Sequence, residues 1–319
     1  MGFTVDQIED ATRQLAGVVV ETPVLSLKQA KWNGMLPDAD VTVKLELFQQ
    51  TGSFKARGAY LGIAGLDEVG RKAGVVAASG GNHAMAVAWA ARAAGVSALI
   101  AMPRSTDPMR VDACRAFGAD VELCPDMPAA FALMEAEAEK GRFLMHPFEG
   151  EHMALGSAAL GAEYVRQAPD VGIFVVPIGG GGLIGGMSTA IKLLRPDATI
   201  IGVEPFGADS MKRSFEAGEP VRLERIDTIA DSLGSPLAMP YTYGLARANV
   251  DEIIHITDEA MIEGMRGYGE VLRIMAEPAC AASLAAVCEP LKDRLKGQKV
   301  GIIACGSNIG QDRYRGLLG

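Results

Sequence analysis

Cysteine is scarce in this chain of 319 residues, and basic residues are outnumbered by acidic ones. The cysteines form no CxxC pair, so neither a disulfide framework nor a cysteine zinc site is predicted from Cys114, Cys124, Cys280, Cys288 and Cys305. The net charge of −9 comes without a basic stripe, which argues against nucleic acid and anionic membrane as partners. We therefore expect a protein of the reducing cytoplasm that acts on small molecules.

Long apolar runs are also missing. Residues 1–16 are polar and acidic, without the apolar core of a secretion signal, and no run reaches the length of a membrane-spanning helix. The hydrophobic fraction of 49% nevertheless suffices for a substantial core. These features predict a soluble, unprocessed chain of two ordinary domains with no membrane partner.

Short apolar runs alternate with helical patterns along most of the chain, and this alternation predicts parallel sheets wound with helices. The predicted strands are Val41–Leu47, Val75–Ala78, Ala98–Met102, Val121–Cys124, Ile173–Val176, Thr199–Val203 and Val300–Ala304. An amphipathic helix capped by Thr4 is expected before them. We predict an α/β protein in which a small domain, residues 60–150, is inserted into a large domain formed by residues 1–59 and 151–319.

One lysine stands among small and hydroxylated residues in the segment TGSFKARG, residues 51–58. An amine that attacks a carbonyl must lose its proton, and both burial and the positive potential of a helix start lower the pKa of a lysine such as Lys55. Ser53 can cap that helix start or bond to a ligand. A lone lysine is more often a solvated surface residue, so Lys55 becomes a candidate only together with two further segments.

Those two segments are glycine-rich turns, each between a predicted strand and a predicted helix. The first is Ser79-Gly80-Gly81-Asn82-His83, and the second is the glycine run 179–182 followed by Leu183. Consecutive glycines let backbone N–H groups converge on an anion, and the helix start adds favourable potential. Four glycines in a row cost conformational entropy, which is tolerated where the backbone wraps closely around a group such as phosphate.

A reactive lysine, a turn that suits a carboxylate and a loop that suits a phosphate together describe a site for pyridoxal phosphate and an amino-acid substrate. The chain resembles the fold-type-II pyridoxal-phosphate enzymes, in the branch of serine/threonine dehydratases and serine racemases. The resemblance rests on TGSFKARGA, SGGNHA, PIGGGGLIGG, VEP, EPACA and ACGSN, which occur in family order over nearly the whole chain. It implies two wound, mostly parallel sheets, as in tryptophan synthase β, with the cofactor in the cleft between two domains.

The resemblance also implies a role for individual residues. Lys55 would hold the cofactor as a Schiff base and move the Cα proton, with Ser53 as a second catalytic residue. Cofactor contacts are expected at Lys55, Phe54, Asn82, Gly179, Gly180, Gly181, Gly182, Leu183, Glu277 and Cys305. Substrate contacts are expected at Ser79, Gly80, Gly81, Asn82 and His83. The Cys305 thiol would face the pyridine nitrogen without keeping it protonated, which favours prompt β-elimination.

The implied activity is removal of water and then ammonia from a β-hydroxy amino acid of the serine, threonine or 3-hydroxyaspartate type, leaving a 2-oxo acid. Racemisation is the alternative, but it needs a second acid on the ring face opposite Lys55. Serine racemases carry a serine there, whereas this chain has Gly80. A β-replacement synthase is a third possibility, and a non-catalytic carrier would be expected to lack Lys55 or the substrate turn. A homodimer is expected.

Two segments depart from the family pattern. Gly156-Ser157-Ala158-Ala159 stands where relatives read Gly-Gln-Gly-Thr, near the expected substrate side chain, so the preferred substrate and its Cβ stereochemistry stay open. Glu204 and the Ala208 carbonyl match positions at which racemase-like relatives hold a divalent cation, but Ser210 replaces the second carboxylate. Mg²⁺ and Ca²⁺ need several oxygen ligands, so no metal is predicted, with this trio as the weak candidate.

Overall fold

The computed structural model describes residues 2–28 and 30–319, and the strands of this part form two sheets. The strands are β1 Val24–Ser26, β2 Asp40–Lys44, β3 Val75–Ala78, β4 Ala98–Pro103, β5 Asp120–Cys124, β6 Phe143–Leu144, β7 Ile173–Pro177, β8 Thr199–Pro205, β9 Glu252–Ile256 and β10 Lys299–Ile303. The α-helices are α1 Val5–Leu15, α2 Lys55–Ala64, α3 Glu68–Ala73, α4 Asn82–Ala94, α5 Pro108–Ala116, α6 Met127–Glu139, α7 Glu151–Gln167, α8 Gly182–Leu194, α9 Ser210–Ala217, α10 Pro240–Asn249, α11 Asp258–Gly267, α12 Pro278–Cys288 and α13 Gln311–Leu318.

The large sheet has the strand order β1-β2-β10-β7-β8-β9 and is parallel except for the pairing of β1 with β2. Its strands are buried apolar runs covered by helices, which is the usual environment of a parallel sheet. Strand β10, although late in the chain, lies directly beside β2. Beyond these strands the contact continues, because Ser53 pairs with Gly306 and the Phe54 amide donates to the Cys305 carbonyl at 3.2 Å.

The small sheet has the order β5-β4-β3-β6, and all its pairs are parallel. All four strands fall within residues 60–150, the range predicted for the inserted domain, although the domain boundaries themselves stay a prediction. Two wound, mostly parallel sheets agree with the predicted fold class. None of the helices in residues 2–28 and 30–319 combines the length and the apolar character that crossing a bilayer requires.

Each of the seven predicted strands overlaps a strand of the structure, while several ends differ. Strand β2 stops at Lys44 instead of Leu47 because residues 46–48 turn into a 3₁₀ segment. Thr4 caps α1 as predicted, with Gln7 completing a reciprocal capping box. Strands β1, β6 and β9 were not predicted as strands, and β1 and β6 have only three and two residues.

A buried network of charges holds α2 against the large sheet. Arg57, in the first turn of α2, donates to Glu46 at 2.8 and 2.9 Å and to Glu163 of α7 at 2.9 and 3.1 Å. Lys44 of β2 also pairs with Glu163 and donates to the Thr22 carbonyl at 2.6 Å. These four charged side chains are at most 9% exposed. Because two cations balance two anions, none of the charges is buried without a partner.

Replacing Glu163 with glutamine should destabilise the fold strongly. The variant leaves Arg57 and Lys44 in the interior with the single carboxylate of Glu46, and breaking a buried ion pair costs about 3–5 kcal/mol. Unfolding by urea, followed by circular dichroism, measures the loss. Arg166→Ala is the matched control on α7, since its pair with Glu21 is exposed and should contribute less than about 1 kcal/mol. Equal effects of the two variants would contradict the prediction.

Candidate active site

Lys55 is the first residue of α2 and is partly buried where the two sheets meet. Its Nζ donates to the Pro147 carbonyl, which follows β6, and lies 5.0 Å from the centroid of the Phe54 ring. Burial lowers the pKa of Lys55 to about 8, against the opposing effect of Cys305 and Glu277. A substantial fraction of this amine is therefore neutral near physiological pH, as a nucleophile or base requires.

The first glycine turn joins β3 to α4, which begins at Asn82 within this turn. The Gly81 amide donates to Ser79 Oγ at 3.1 Å, while the amides of Gly80, Asn82 and His83 donate to no residue in the described part of the chain. The His83 imidazole is buried and bonds through Nε2 to the Met145 carbonyl at 2.8 Å. The turn therefore offers free backbone amides, and the His83 side chain supports it from within.

The second turn, the glycine loop 179–182, joins β7 to α8. None of its four amides donates to a described residue. Gly181 has φ +90°, and a Cβ on Gly179 would lie 2.6 Å from the Ser232 carbonyl oxygen. A Cβ on Gly180 would lie within 2.4 Å of the Phe148 ring. Glycine is therefore required at this position because the neighbouring ring leaves no space for a side chain. The Leu183 side chain lies in the core of the large sheet.

Asn82, Asn308 and Glu277 form a connected group beside these turns. Asn308 Nδ2 donates to Asn82 Oδ1 and to the Thr51 carbonyl, both at 2.7 Å. Asn82 Nδ2 donates in turn to Glu277 Oε1 at 2.7 Å. Burial raises the pKa of Glu277, against the opposing effect of Arg110 and the bond from Asn82. Asn308 was not among the predicted site residues, although it lies in the ACGSN motif.

Ser53 and Cys305 both lie near the lysine segment, since Ser53 pairs with Gly306 and the Phe54 amide donates to the Cys305 carbonyl, but Ser53 does not cap α2. The residue before the helix is Phe54, which makes no capping bond, and Ser53 Oγ is buried without a partner among the described residues. The hydroxyl oxygens of Thr51 and Thr106 are also buried without a hydrogen-bond partner among the described residues. Contact with the Cys280 thiol and burial raise the pKa of Cys305, so its thiol stays neutral.

These features fit a phosphorylated cofactor and an amino-acid substrate. Free amides on two glycine turns suit two anions, and buried hydroxyls without partners suit a polar ligand. The glycine loop also forms a close cradle that any side chain at 179 or 180 would fill. The lysine of lowered pKa adjoins the glycine loop through Pro147, because the neighbouring Phe148 ring packs on Gly180. Its role as the Schiff-base residue stays a prediction.

The Gly156-Ser157-Ala158-Ala159 segment proves to be a packing element of α7. A Cβ on Gly156 would lie 2.3 Å from the Gly58 nitrogen of α2, and Ser157 contacts Gly186 of α8 and donates to the Met153 carbonyl. Ala159 is buried against α1 and α2. The departure of this segment from the family pattern therefore affects helix packing, and its expected position near the substrate side chain stays a prediction.

In the weak metal candidate, formed by Glu204, Ala208 and Ser210, the carboxylate already has hydrogen-bond partners within the protein. The Glu204 carboxylate accepts bonds from the Met211 and Lys212 amides at 2.9 and 2.8 Å, and burial raises its pKa to about 8. Ala208 is buried, and Ser210 Oγ has no partner among the described residues. In residues 2–28 and 30–319, no three His, Cys, Asp or Glu side chains are grouped as a metal site.

An aromatic cluster near Lys55 was not predicted. The His146 ring lies 4.6 Å from the Phe148 ring in an edge-on arrangement and 6.1 Å from the Phe131 ring. The cluster adjoins the lysine because Lys55 donates to Pro147, the residue between His146 and Phe148. His146 Nδ1 accepts from the amides of Phe148 and Glu149, and burial lowers the pKa of His146 to about 4. The ring is therefore neutral, with its proton on Nε2.

Comparison with known proteins agrees with this geometry. A family model described as "Pyridoxal-phosphate dependent enzyme" matches residues 15–306. Over 285 residues the chain is 45% identical to phenylserine dehydratase of Ralstonia pickettii, covering 89% of this chain and 87% of that protein. It is 37% identical to L-threonine ammonia-lyase of Thermotoga maritima, covering 96% and 76%. The solved structure of maize serine racemase has a TM-score of 0.93 at 32% identity, covering 99% and 97%.

The lowered pKa of Lys55 should make loading with pyridoxal phosphate depend on pH. Only the neutral amine attacks the aldehyde, so the loading rate should rise about tenfold per pH unit below the pKa and level off above it. The absorbance change after mixing cofactor-free protein with pyridoxal phosphate measures this rate. A midpoint near 8 is expected, whereas a midpoint near the ordinary 10.5 would refute the prediction. Lys55→Ala is the control and should show no such profile.

Proposed function

We propose, because this chain belongs to the pyridoxal-phosphate dependent enzymes, that it is a dehydratase that removes water and then ammonia from a β-hydroxy amino acid and releases a 2-oxo acid. The observation that carries the proposal is the position of Lys55, with its pKa of about 8, between two turns of free backbone amides. Relatives named phenylserine dehydratase and L-threonine ammonia-lyase support the reaction class.

Four groups of residues would hold the cofactor. The amides of the glycine loop 179–182 would bind the phosphate, and Lys55 would hold the aldehyde. Asn82, supported by Asn308 and Glu277, would contact the ring edge, while the neutral Cys305 thiol would face the ring nitrogen. When bound, pyridoxal phosphate supplies an aldehyde that condenses with amines and a ring that accepts the electron pair released at Cα.

The chain's own groups then bind the substrate and move its protons. The free amides of the turn 79–83 bind the substrate carboxylate. Lys55, neutral at its lowered pKa, takes the proton from Cα. Ser53 Oγ is a buried hydroxyl without another partner. It donates a proton to the departing β-hydroxyl, which leaves as water. Because the Cys305 thiol stays neutral, it provides no charge that would stabilise a long-lived carbanion, and elimination follows directly.

The assembly and compartment belong to the same proposal. All five cysteines are free thiols, which supports a reducing compartment such as the cytoplasm. A homodimer is proposed from the family resemblance. A divalent cation is left out, since the Glu204 carboxylate is already satisfied by two backbone amides of α9.

We include β-hydroxy amino acids with an aromatic β-substituent among the substrates. Phe131, His146 and Phe148 form an aromatic cluster that adjoins the lysine through Pro147, and aromatic pairs prefer such edge-on and tilted contacts. The fixed Nε2–H of the neutral His146 adds a hydrogen-bond donor. A relative named phenylserine dehydratase, at 45% identity, supports this substrate class.

Phenylserine should therefore be turned over with a higher kcat/KM than serine or threonine. Phe131→Ala should lower kcat/KM for phenylserine by up to about tenfold, since one aromatic contact contributes roughly 0.5–1.5 kcal/mol, and should leave serine nearly unaffected. Release of 2-oxo acid is measured for all three amino acids. Phe117→Ala is the matched control, because Phe117 ends α5 in the same half of the protein. A preference for serine that Phe131→Ala does not change would contradict the aromatic assignment, and release from none of them would refute the dehydratase.

Racemisation stays a second candidate because of one observation. A Cβ on Gly80 would lie 2.6 Å from Thr106 Oγ1, so the threonine hydroxyl occupies the space that a side chain at position 80 would take. This hydroxyl has no partner among the described residues. By the family resemblance, the acid needed for inversion of Cα stands at position 80, and Thr106 is the nearest substitute for it.

Elimination should nevertheless dominate, with D-serine forming much more slowly than pyruvate from L-serine. Thr106→Val removes the hydroxyl at nearly constant volume and should reduce the D-enantiomer further without a matching loss of pyruvate. Chiral chromatography and keto acid release, measured together in deuterated buffer, follow the two products. D-serine at a rate comparable with pyruvate would make the enzyme a racemase. If Thr106→Val leaves the rate of D-serine formation unchanged, Thr106 is not the acid that inverts Cα.

A further inference from the structure

Arg110 of α5 connects parts of the site that belong to different sheets. Its side chain is only about 8% exposed. Nε and Nη2 donate to the Asn308 carbonyl at 3.1 and 2.6 Å, and Nη1 donates to the Gly80 carbonyl at 3.1 Å. Nη1 also lies 3.7 Å from the Asp231 carboxylate. One guanidinium therefore contacts three separate chain segments.

Each of these three segments adjoins a functional part of the site. Gly80 belongs to the turn that offers free amides to the substrate carboxylate. Asn308 holds Asn82 through its side chain at 2.7 Å. Asp231 precedes Ser232, whose carbonyl lies against Gly179 of the glycine loop. Arg110 is thus a common anchor for the substrate turn, the ring-edge asparagine and the segment that covers the phosphate loop.

The chemistry of the guanidinium suits this position. It is planar and always charged, and it presents five N–H donors in a rigid fork, so it can satisfy several carbonyls at once. A lysine has a single ammonium and cannot span the same set. Because the peptide is planar, fixing the Gly80 carbonyl also fixes the following Gly81 amide, which donates to Ser79 Oγ. The middle of the turn that carries the free amides of Gly80, Asn82 and His83 is thereby held in place. Loss of Arg110 would leave both carbonyls without their charged donor, and hydrogen bonds to charged groups are the stronger ones.

We propose that Arg110 is a positioning residue that locks the substrate turn of the small sheet onto the Asn308 segment of the large sheet, in the geometry that binds the substrate carboxylate. The proposal rests on the proposed function, in which the turn 79–83 binds that carboxylate. The carbonyl contacts matter more than the ion pair, because Asp231 is about half exposed and is also held by Arg313 at 2.9 Å. Arg110 itself touches neither cofactor nor reacting atoms in this proposal.

The test compares Arg110→Ala, Arg110→Lys and Asp231→Asn with the control Arg115→Ala, an exposed arginine on the same helix. Loss of charged hydrogen bonds should raise KM for the amino-acid substrate by about tenfold or more in Arg110→Ala, with a smaller effect on kcat. Arg110→Lys should recover part of the affinity. Asp231→Asn and Arg115→Ala should change KM by less than about threefold, as expected for exposed charges.

Amide hydrogen exchange of the cofactor-loaded protein gives a readout independent of turnover. Arg110→Ala should accelerate exchange at residues 79–83 and 306–309 while the strands of both sheets keep their protection. Exchange and KM equal to those of Arg115→Ala would overturn the proposal, as would acceleration spread evenly over the whole chain. If the wild-type protein eliminates none of the amino acids tested, the proposed function fails, whereas the exchange pattern still decides whether Arg110 locks the two segments.

Discussion

Arg57, held in the interior between Glu46 and Glu163, constrains the rest of the site. A guanidinium can be buried only when its donors find carboxylates in good geometry, so α2 cannot rotate or slide without leaving a charge uncompensated. Lys55 is two residues before Arg57, so the backbone that carries the reactive amine has a fixed position. The Pro147 carbonyl then accepts a hydrogen bond from that amine.

The proposed binding elements are mostly backbone. In the proposal, free amides of the two glycine turns form the anion sites, and glycine is required in these turns because neighbouring groups come too close for a side chain. Phe148 shows how the parts are coupled, since its ring packs on Gly180 while its amide donates to His146. Side chains fix these loops, and in the proposal the main-chain N–H donors would bind phosphate and carboxylate.

The features read correctly from the sequence are those set by local chemistry. Apolar runs predict the buried strands, and glycines between a strand and a helix predict the turns at Gly80 and Gly180. Features that depend on distant partners were missed. Arg110 resembles any other basic residue of an amphipathic helix until Asn308 is placed beside it, and Ser53 looks like a cap although its hydroxyl is left free. The role of Gly156 in contact with α2 likewise depends on tertiary packing.

The pairing of the lysine segment with the segment after β10 bears on how the protein is made. Asn308 donates to the Thr51 carbonyl across 257 residues of chain, and the Ser307 amide donates to Gly52 at 3.0 Å. A ribosome therefore exposes the lysine long before it synthesises the strand and loop that complete its surroundings. Contacts of such sequence separation form late in folding. A nascent chain should capture its cofactor only after β10 and the following loop have been synthesised, so a chain truncated after β8 would have the lysine but no finished site.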